Sequence, residues 1–292
     1  MLFLGTVAGY IVNSPIIASM IHQKITRRSP QDVFGKDNLT LLILGCDEDF
    51  SQGGKKVLRS RARSDMILIV RLDFRYKRIS GVSIPRDTLA ELPGYHRQRI
   101  NAYHAIGGND LSKRVVEHVL GITIDRVMSI NYDAFQDMIN LVGGVEVYVP
   151  KKMDWDDHAG GLFIHLKPGR QILDGYNAMC FVRFRHSDTD FDRQKRQKDL
   201  MLAFKDKLLQ KPTLVNQVSE KAMDMLEREL TVNEVVAIAL FAQKTSGDNI
   251  KMGMVPVVPG QRYDLILDEA KLPDTLRKFY LLDPPKKKSD TQ

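Results

Sequence analysis

The run Leu39 to Cys46, LTLLILGC, constrains the fold of this chain more than any other stretch. It carries no charge and is far shorter than the roughly 20 residues a helix needs to cross a bilayer. A continuous apolar run of this length reads as a strand buried on both faces, and such a strand needs cover on each side. The segments that follow supply it. Met66 to Leu72 and Ile79 to Ile84 are two more β-rich runs, joined tightly through DFRYKR. Asn101 to Gly107 and Leu111 to Leu120 have helical spacing, the second ending at Gly121. Ile124 to Ile130 reads as a strand, Tyr132 to Leu141 as a helix closed by Gly143-Gly144, and Val145 to Val149 as an alternating strand. A loop rich in Asp and Gly is expected from Asp154 to Gly161. Leu162 to Leu166 and a run ending at Arg185 are then expected to continue the sheet. Helices over Arg193–Leu209, Thr213–Arg228 and Thr231–Lys244 are expected next. A strand pair over Ile250–Val258 and Arg262–Leu267 and a helix over Glu269–Tyr280 complete the series. Strands and helices interleave without an internal repeat. That pattern predicts an α/β fold, a single layered α-β-α domain over residues 39–282 with a central mixed β-sheet flanked by helices.

The two ends read differently. Met1 to Ile21 contains no charged side chain and, at 1.5 Å rise per residue, spans about 30 Å as a helix. A signal peptide would begin with basic residues and have a shorter apolar core. Residues 1–22 are therefore expected to form a single membrane anchor and residues 23–38 a linker. Lys24, Arg27 and Arg28 follow the span and nothing basic precedes it, which by the positive-inside rule would hold the domain in the cytoplasm. That bias is reversed either by a basic cytoplasmic tail preceding Met1 or by the large domain overriding it, and the first is favoured. Residues 283–292, with Pro284-Pro285-Lys286-Lys287-Lys288, read as a disordered basic tail.

Lys plus Arg number 43 against 36 Asp plus Glu, a formal net charge of +7, which favours anionic partners. Aromatic stacking motifs and a dense basic helical stripe are both missing, so nucleic acid is not the expected partner. Cys46 and Cys180 read as buried free thiols, with a disulfide between them left open. Nothing has the Cys/His spacing of a zinc site.

The charge is concentrated in FVRFRHSDTDFDRQKRQ, Phe181 to Gln197. Phe181-Val182-Arg183-Phe184-Arg185 alternates apolar residues with arginine, which predicts a strand with Arg183 and Arg185 on one face. From Arg193 the spacing becomes helical. Arginines at a strand end and on the first turns of the next helix suit a phosphate group. Lys195 reads as helix surface. Asp188, Asp190 and Asp192 read as helix-capping residues or as counter-charges.

In order, RSDMILIVRLD, VSIPRDT, INAYHAIGG, LVGGVEV and LDGYNAMCFVRFRHSDTDFDRQKRQ resemble the LytR–CpsA–Psr family of cell-wall assembly proteins, and VVPG continues the match toward Leu282. The resemblance implies a membrane-anchored, extracytoplasmic domain at the cell membrane. It would bind a polyprenyl-pyrophosphate-linked glycan and transfer the phospho-glycopolymer to peptidoglycan, assisted by Mg2+. It further implies Arg86, Arg185, Arg193 and Asp65 as catalytic residues. Arg63, Arg183 and Gln197 would contact the pyrophosphate lipid, and Asp47 and Asp65 would hold the magnesium. Arginine fits such work because its planar fork binds phosphate oxygens bidentately and stays charged. The group that takes the proton of the attacking hydroxyl is left open. Two other functions stand beside transfer: hydrolysis of the polyprenyl pyrophosphate, and non-catalytic lipid-pyrophosphate binding that scaffolds or regulates envelope assembly. Asp87 reads as a structural partner of Arg86 at a strand end. Trp155 reads either as a glycan contact or as an exposed loop aromatic.

Overall fold

The computed structural model describes residues 19, 28–46, 63–158, 162–184, 190–210, 214, 217–218, 221 and 230–282. The segment read as linker already holds structure. Helix α1 (Pro30–Phe34) begins at Ser29, whose hydroxyl accepts from Asp32 N while its own N–H donates to the Asp32 carboxylate at 2.7 Å, a reciprocal cap. Phe34 stacks on Phe74 with ring centroids 5.5 Å apart, so the folded unit begins before Leu39.

β1 (Asn38–Cys46), β2 (Ser64–Asp73) and β3 (Arg78–Ile84) form antiparallel neighbours. The short pair β4 (Leu89–Ala90) and β5 (Gln98–Arg99) precedes α2 (Ala102–Leu120). α2 is broken at Gly107 and Gly108, where the sequence reading ends one helix before the next begins. β6 (Arg126–Asn131) returns parallel to β1 and runs straight into α3 (Tyr132–Leu141). A smaller lobe follows: β7 (Val145–Val149), β8 (Met153–Asp157), β9 (Leu162–Leu166), β10 (Gly169–Leu173) and α4 (Gly175–Arg183). Then come α5 (Asp190–Gln210), α6 (Val232–Lys244), β11 (Ile250–Met254), β12 (Val257–Pro259), β13 (Leu265–Leu267) and α7 (Leu272–Lys278). The central sheet has the order β11-β3-β2-β1-β6, mixed as expected.

β1 is covered on both faces. Leu42 and Leu44 belong to a core with Val115, Val116 and Leu276 from α2 and α7, whereas Leu39 and Leu41 share a second core with Phe241 of α6. Burying each leucine contributes about 1.5–3 kcal/mol, which is why the least polar strand sits in the middle of the layers. The smaller lobe has its own core, in which Val145, Val147, Ile164, Leu173 and Phe181 are buried together.

Four expectations are corrected. Phe181 to Arg183 is not a strand but the last turns of α4. Asp174 caps that helix by accepting from Asn177 N at 2.8 Å, and the five-residue alternation is also an i, i+3 helical spacing that buries Phe181 and Phe184. The first part of the expected Asp/Gly loop is strand β8, paired with β9. Trp155 pairs with Ile164 on one face, itself partly open to solvent, while Asp154 and Asp156 are exposed on the other, so the acidic composition marks the solvent face of a hairpin. β9 therefore lies outside the central sheet. β10, not anticipated, pairs with β7. The run from Ile250 to Val258 breaks at Val255-Pro256: β11 joins β3 in the central sheet, and β12 pairs with β13. Pro256 has no N–H to continue a ladder.

Both cysteines are free. Burial pushes each thiol up to about 11, so they stay protonated and unreactive at neutral pH. The expected anchor, residues 1–22, lies outside the described residues except for Ser19. That residue is buried and donates to Asn233 Oδ1 on α6 at 2.6 Å. Among the described residues no helix is long and apolar enough to cross a membrane. The tail 283–292 and the expected helix Thr213–Arg228, apart from residues 214, 217, 218 and 221, also lie outside them.

Candidate pyrophosphate site

Strand register assembles the first half of the site. Ile67 pairs with Ile84 in the antiparallel β2–β3 ladder. Two residues back along β2 is Asp65 and two residues past the end of β3's pairing is Arg86, so the two lie opposite one another. Arg86 Nη1 donates to Asp65 Oδ1 at 2.6 Å. Burial pulls the Arg86 guanidinium down, but Asp65, Asp87 and Tyr132 together outweigh it, Asp65 most of all, and the net effect raises the group above its ordinary value. Arg86 is a fixed positive charge at any working pH.

The second half comes from helices. The β6–α3 junction delivers Tyr132, and the last turn of α4 delivers Arg183. The Arg183 guanidinium lies over the Tyr132 ring, 4.3 Å from its centroid, a cation–π contact. Its Nη2 stands 3.9 Å from Asp65 Oδ2, and the Tyr132 hydroxyl donates to the same oxygen at 3.4 Å. One carboxylate thus faces two arginines from segments far apart in the chain.

These groups form a polar patch on the wall of a cavity of about 430 Å³. The rest of the wall is mainly apolar: Met66, Ile67 and Ile84 from the sheet, Ile130 and Phe135 from β6 and α3, and Leu162, Ile164, Met179 and Val182 from the smaller lobe. Trp155 and Gln197 also line it. The cavity therefore lies between the central sheet and the smaller lobe, and neither could enclose it alone.

The expected site residues divide. Asp65, Arg86, Arg183 and Gln197 line one cavity. Arg63 is exposed immediately before β2 and does not appear in that lining. Asp47 and Arg185 lie outside the described residues, as does the side chain of Arg193 on α5. Cys46, the residue before Asp47, is the ladder partner of Ser64, the residue before Asp65. Asp87 has the structural role expected of it. Its carboxylate is 3.7 Å from Arg86 Nε and accepts from Arg99 Nη1 at 3.0 Å, and Arg99 Nε donates to Asp264 at 2.7 Å. Tyr132 was missed, because an aromatic at a strand–helix junction looks like any other core residue until its ring is seen beneath an arginine.

Among the described residues no group of three or more His, Cys, Asp or Glu is arranged to hold a metal. Asp65 is the one described acid of the expected pair. A carboxylate has about four lone-pair sites, so its contacts to Arg86, Arg183 and Tyr132 leave acceptor capacity. Magnesium at such sites takes one or two protein carboxylates and draws its other ligands from water and substrate phosphate. The donor chemistry fits that kind of ion.

The cavity thus joins a mainly apolar wall to a polar patch in which Arg86 and Arg183 converge on Asp65, at one end of the mixed sheet. The chain belongs to the LytR_cpsA_psr family, whose model matches residues 9–277. It is 33% identical over 214 residues to the polyisoprenyl-teichoic acid–peptidoglycan teichoic acid transferase TagV of Bacillus subtilis strain 168, covering 70% of this chain and 52% of that protein. It is 29% identical over 252 residues to the corresponding transferase TagT of the same strain, covering 84% of this chain and 77% of that protein. The chain thus spans about half the length of TagV. The crystal structure of B. subtilis TagV superimposes with a TM-score of 0.67 at 29% identity, covering 85% of this chain and 99% of that one. A structure of TagT with bound octaprenyl pyrophosphate lipid gives a TM-score of 0.62 at 25% identity, covering 86% and 91%.

Proposed function

We propose that this chain is a phosphotransferase that moves a phospho-glycopolymer from a polyprenyl-pyrophosphate carrier onto peptidoglycan. The observation that carries the reading is the cavity itself: apolar walls joined to a patch where Arg86 and Arg183 converge on Asp65. The names of its relatives, two teichoic acid transferases, and the octaprenyl pyrophosphate bound in a similar fold support it.

In this reading the prenyl tail enters the apolar part of the cavity, where its burial is favourable. The pyrophosphate would be costly to place beside that surface without partners. Arg86 and Arg183 supply them. A hydroxyl oxygen of the peptidoglycan sugar attacks the phosphorus that bears the glycopolymer. The bond from that phosphorus to the bridging oxygen breaks, polyprenyl phosphate leaves with the electron pair, and the hydroxyl proton passes to solvent. The two guanidiniums stabilise charge on the phosphoryl oxygens as the transition state forms, and Asp65 holds both in position. Asp65 is ion-paired to Arg86 at 2.6 Å, which makes it an orienting group. Asp65, with Asp47 as its partner, would hold Mg2+, which when bound neutralises pyrophosphate charge. Anchoring by residues 1–22 and an extracytoplasmic position belong to the same proposal.

The test incubates the full chain with a lipid-pyrophosphate glycan, Mg2+ and peptidoglycan fragments, with products read by mass spectrometry. A phosphodiester-linked conjugate and released polyprenyl phosphate are expected. Free phospho-glycopolymer without conjugate would replace transfer by hydrolysis. Bound lipid without turnover would leave a binding protein.

A further inference from the structure

Arg196 belongs to the basic run of the sequence, yet it is only 3% exposed. It sits on α5 beside Gln197, which lines the cavity, but its guanidinium is turned toward the end of α4. Nε donates to the Phe181 carbonyl at 2.8 Å and Nη2 to the Phe184 carbonyl at 2.6 Å. The guanidinium carbon is 5.9 Å from the centroid of each of those two phenylalanine rings.

The two carbonyls bracket Arg183, the residue that stacks on Tyr132 and faces Asp65. The Phe181 carbonyl belongs to the last turn of a helix, whose C-terminus carries a partial negative charge of about half an electron, and Phe184 is the residue that ends it. An anion is disfavoured at such an end, and this end stands at the cationic patch. Short charge-assisted hydrogen bonds from a buried guanidinium oppose that charge and fix the turn on which Arg183 stands. We propose that Arg196 is a positioning residue for the pyrophosphate site: it locks the last turn of α4 and offsets the negative helix end, so that Arg183 can receive an anionic head group. Lysine is a poor substitute, because one ammonium does not reproduce a planar fork spanning two carbonyls. The inference rests on the pyrophosphate-binding reading above.

The test compares binding of a short polyprenyl pyrophosphate and of the matching polyprenol to the full chain and its Arg196→Met, Arg196→Lys, Arg183→Ala and Arg196→Met/Arg183→Ala variants. Arg196→Met is expected to weaken pyrophosphate binding by about 10- to 100-fold, the range for losing charged hydrogen bonds. Polyprenol binding should stay within about twofold, since the apolar walls are unaltered. In the Arg183→Ala background, adding Arg196→Met should change little, because the two act through one contact. Should Arg196→Met not fold, Arg196→Lys carries the same comparison. Equal losses for both ligands, or losses that simply add to those of Arg183→Ala, would overturn the positioning role. A wild-type chain that binds polyprenol but not its pyrophosphate would instead sink the pyrophosphate-site reading, and this inference with it.

Discussion

The two arginines at the site are held by different kinds of structure. Arg86 leaves a strand whose partner, β2, is hydrogen-bonded along its length to both β1 and β3. Its place opposite Asp65 follows from register, and register is fixed by every pair in the ladder. Arg183 is at the end of a nine-residue helix in the smaller lobe, and a few separate contacts set it there. Asp174 caps the helix start, Gly175 allows the helix to touch α3, and Arg196 holds its end. A ladder shares the work among many weak interactions, whereas the helix relies on a few. The helical wall should therefore fail first under small changes, while the sheet wall should fail only when an arginine or a core residue is removed.

That contrast can be tested in descending order of effect. Arg86→Ala should lower the transfer rate by about 10²–10³-fold, the scale for one preorganised donor to developing charge, with the fold intact by circular dichroism. Unchanged turnover would remove the sheet wall from the mechanism. Leu42→Ala, in the strand buried on both faces, should cost about 2–5 kcal/mol of stability in a urea titration while leaving the site geometry alone. A loss below that range would mean the central strand is less important to the core than its burial indicates.

Gly175→Ala tests the helical wall. An added Cβ would come within 2.3 Å of the Gln136 carbonyl oxygen, backbone that cannot swing aside. The expected cost is about 1–3 kcal/mol, with pyrophosphate binding weakened more than polyprenol binding because α4 must shift. Equal weakening of both ligands would show that Arg183 does not depend on this approach.

The smallest effect is a pH dependence. Burial pushes the Cys180 thiol up to about 11 from an ordinary 9.0. An unfolded chain then loses this proton before the folded one does, so the folded state binds more protons between those values. The stability tied to this thiol is complete below pH 9 and is lost as pH rises through about 11. Unfolding midpoints should fall less steeply across that window in Cys180→Ala than in the wild type. Parallel slopes would show that the thiol is not shielded as its burial implies.

Much of the sheet wall was legible in the sequence. LTLLILGC is too apolar for any place but the centre of the layers, and RSD and IPRD sit at the ends of strands whose pairing puts Asp65 beside Arg86. The smaller lobe was less legible. FVRFR fits a period of two and a spacing of three or four equally well, and only the cap at Asp174 and the close approach at Gly175 decide for a helix. The acidic stretch around Trp155 read as a loop because its exposed residues outnumber its buried ones, and its hairpin appears only once Trp155 is paired with Ile164. Tyr132 gave no local sign of its role, and nothing in the basic run set Arg196 apart from the cations beside it.

By itself the sequence determined a layered α/β domain, because strands and helices interleave along it and a strand as apolar as β1 needs cover on both faces, and it determined the family through the order of its motifs. Only the tertiary structure decided which cations face an anion and which brace the protein. Arg183 and Arg196 are the same residue type in the same basic run. One looks into the cavity and the other into the carbonyls of a helix end, and that difference depends on how α5 packs against α4, which no local pattern encodes.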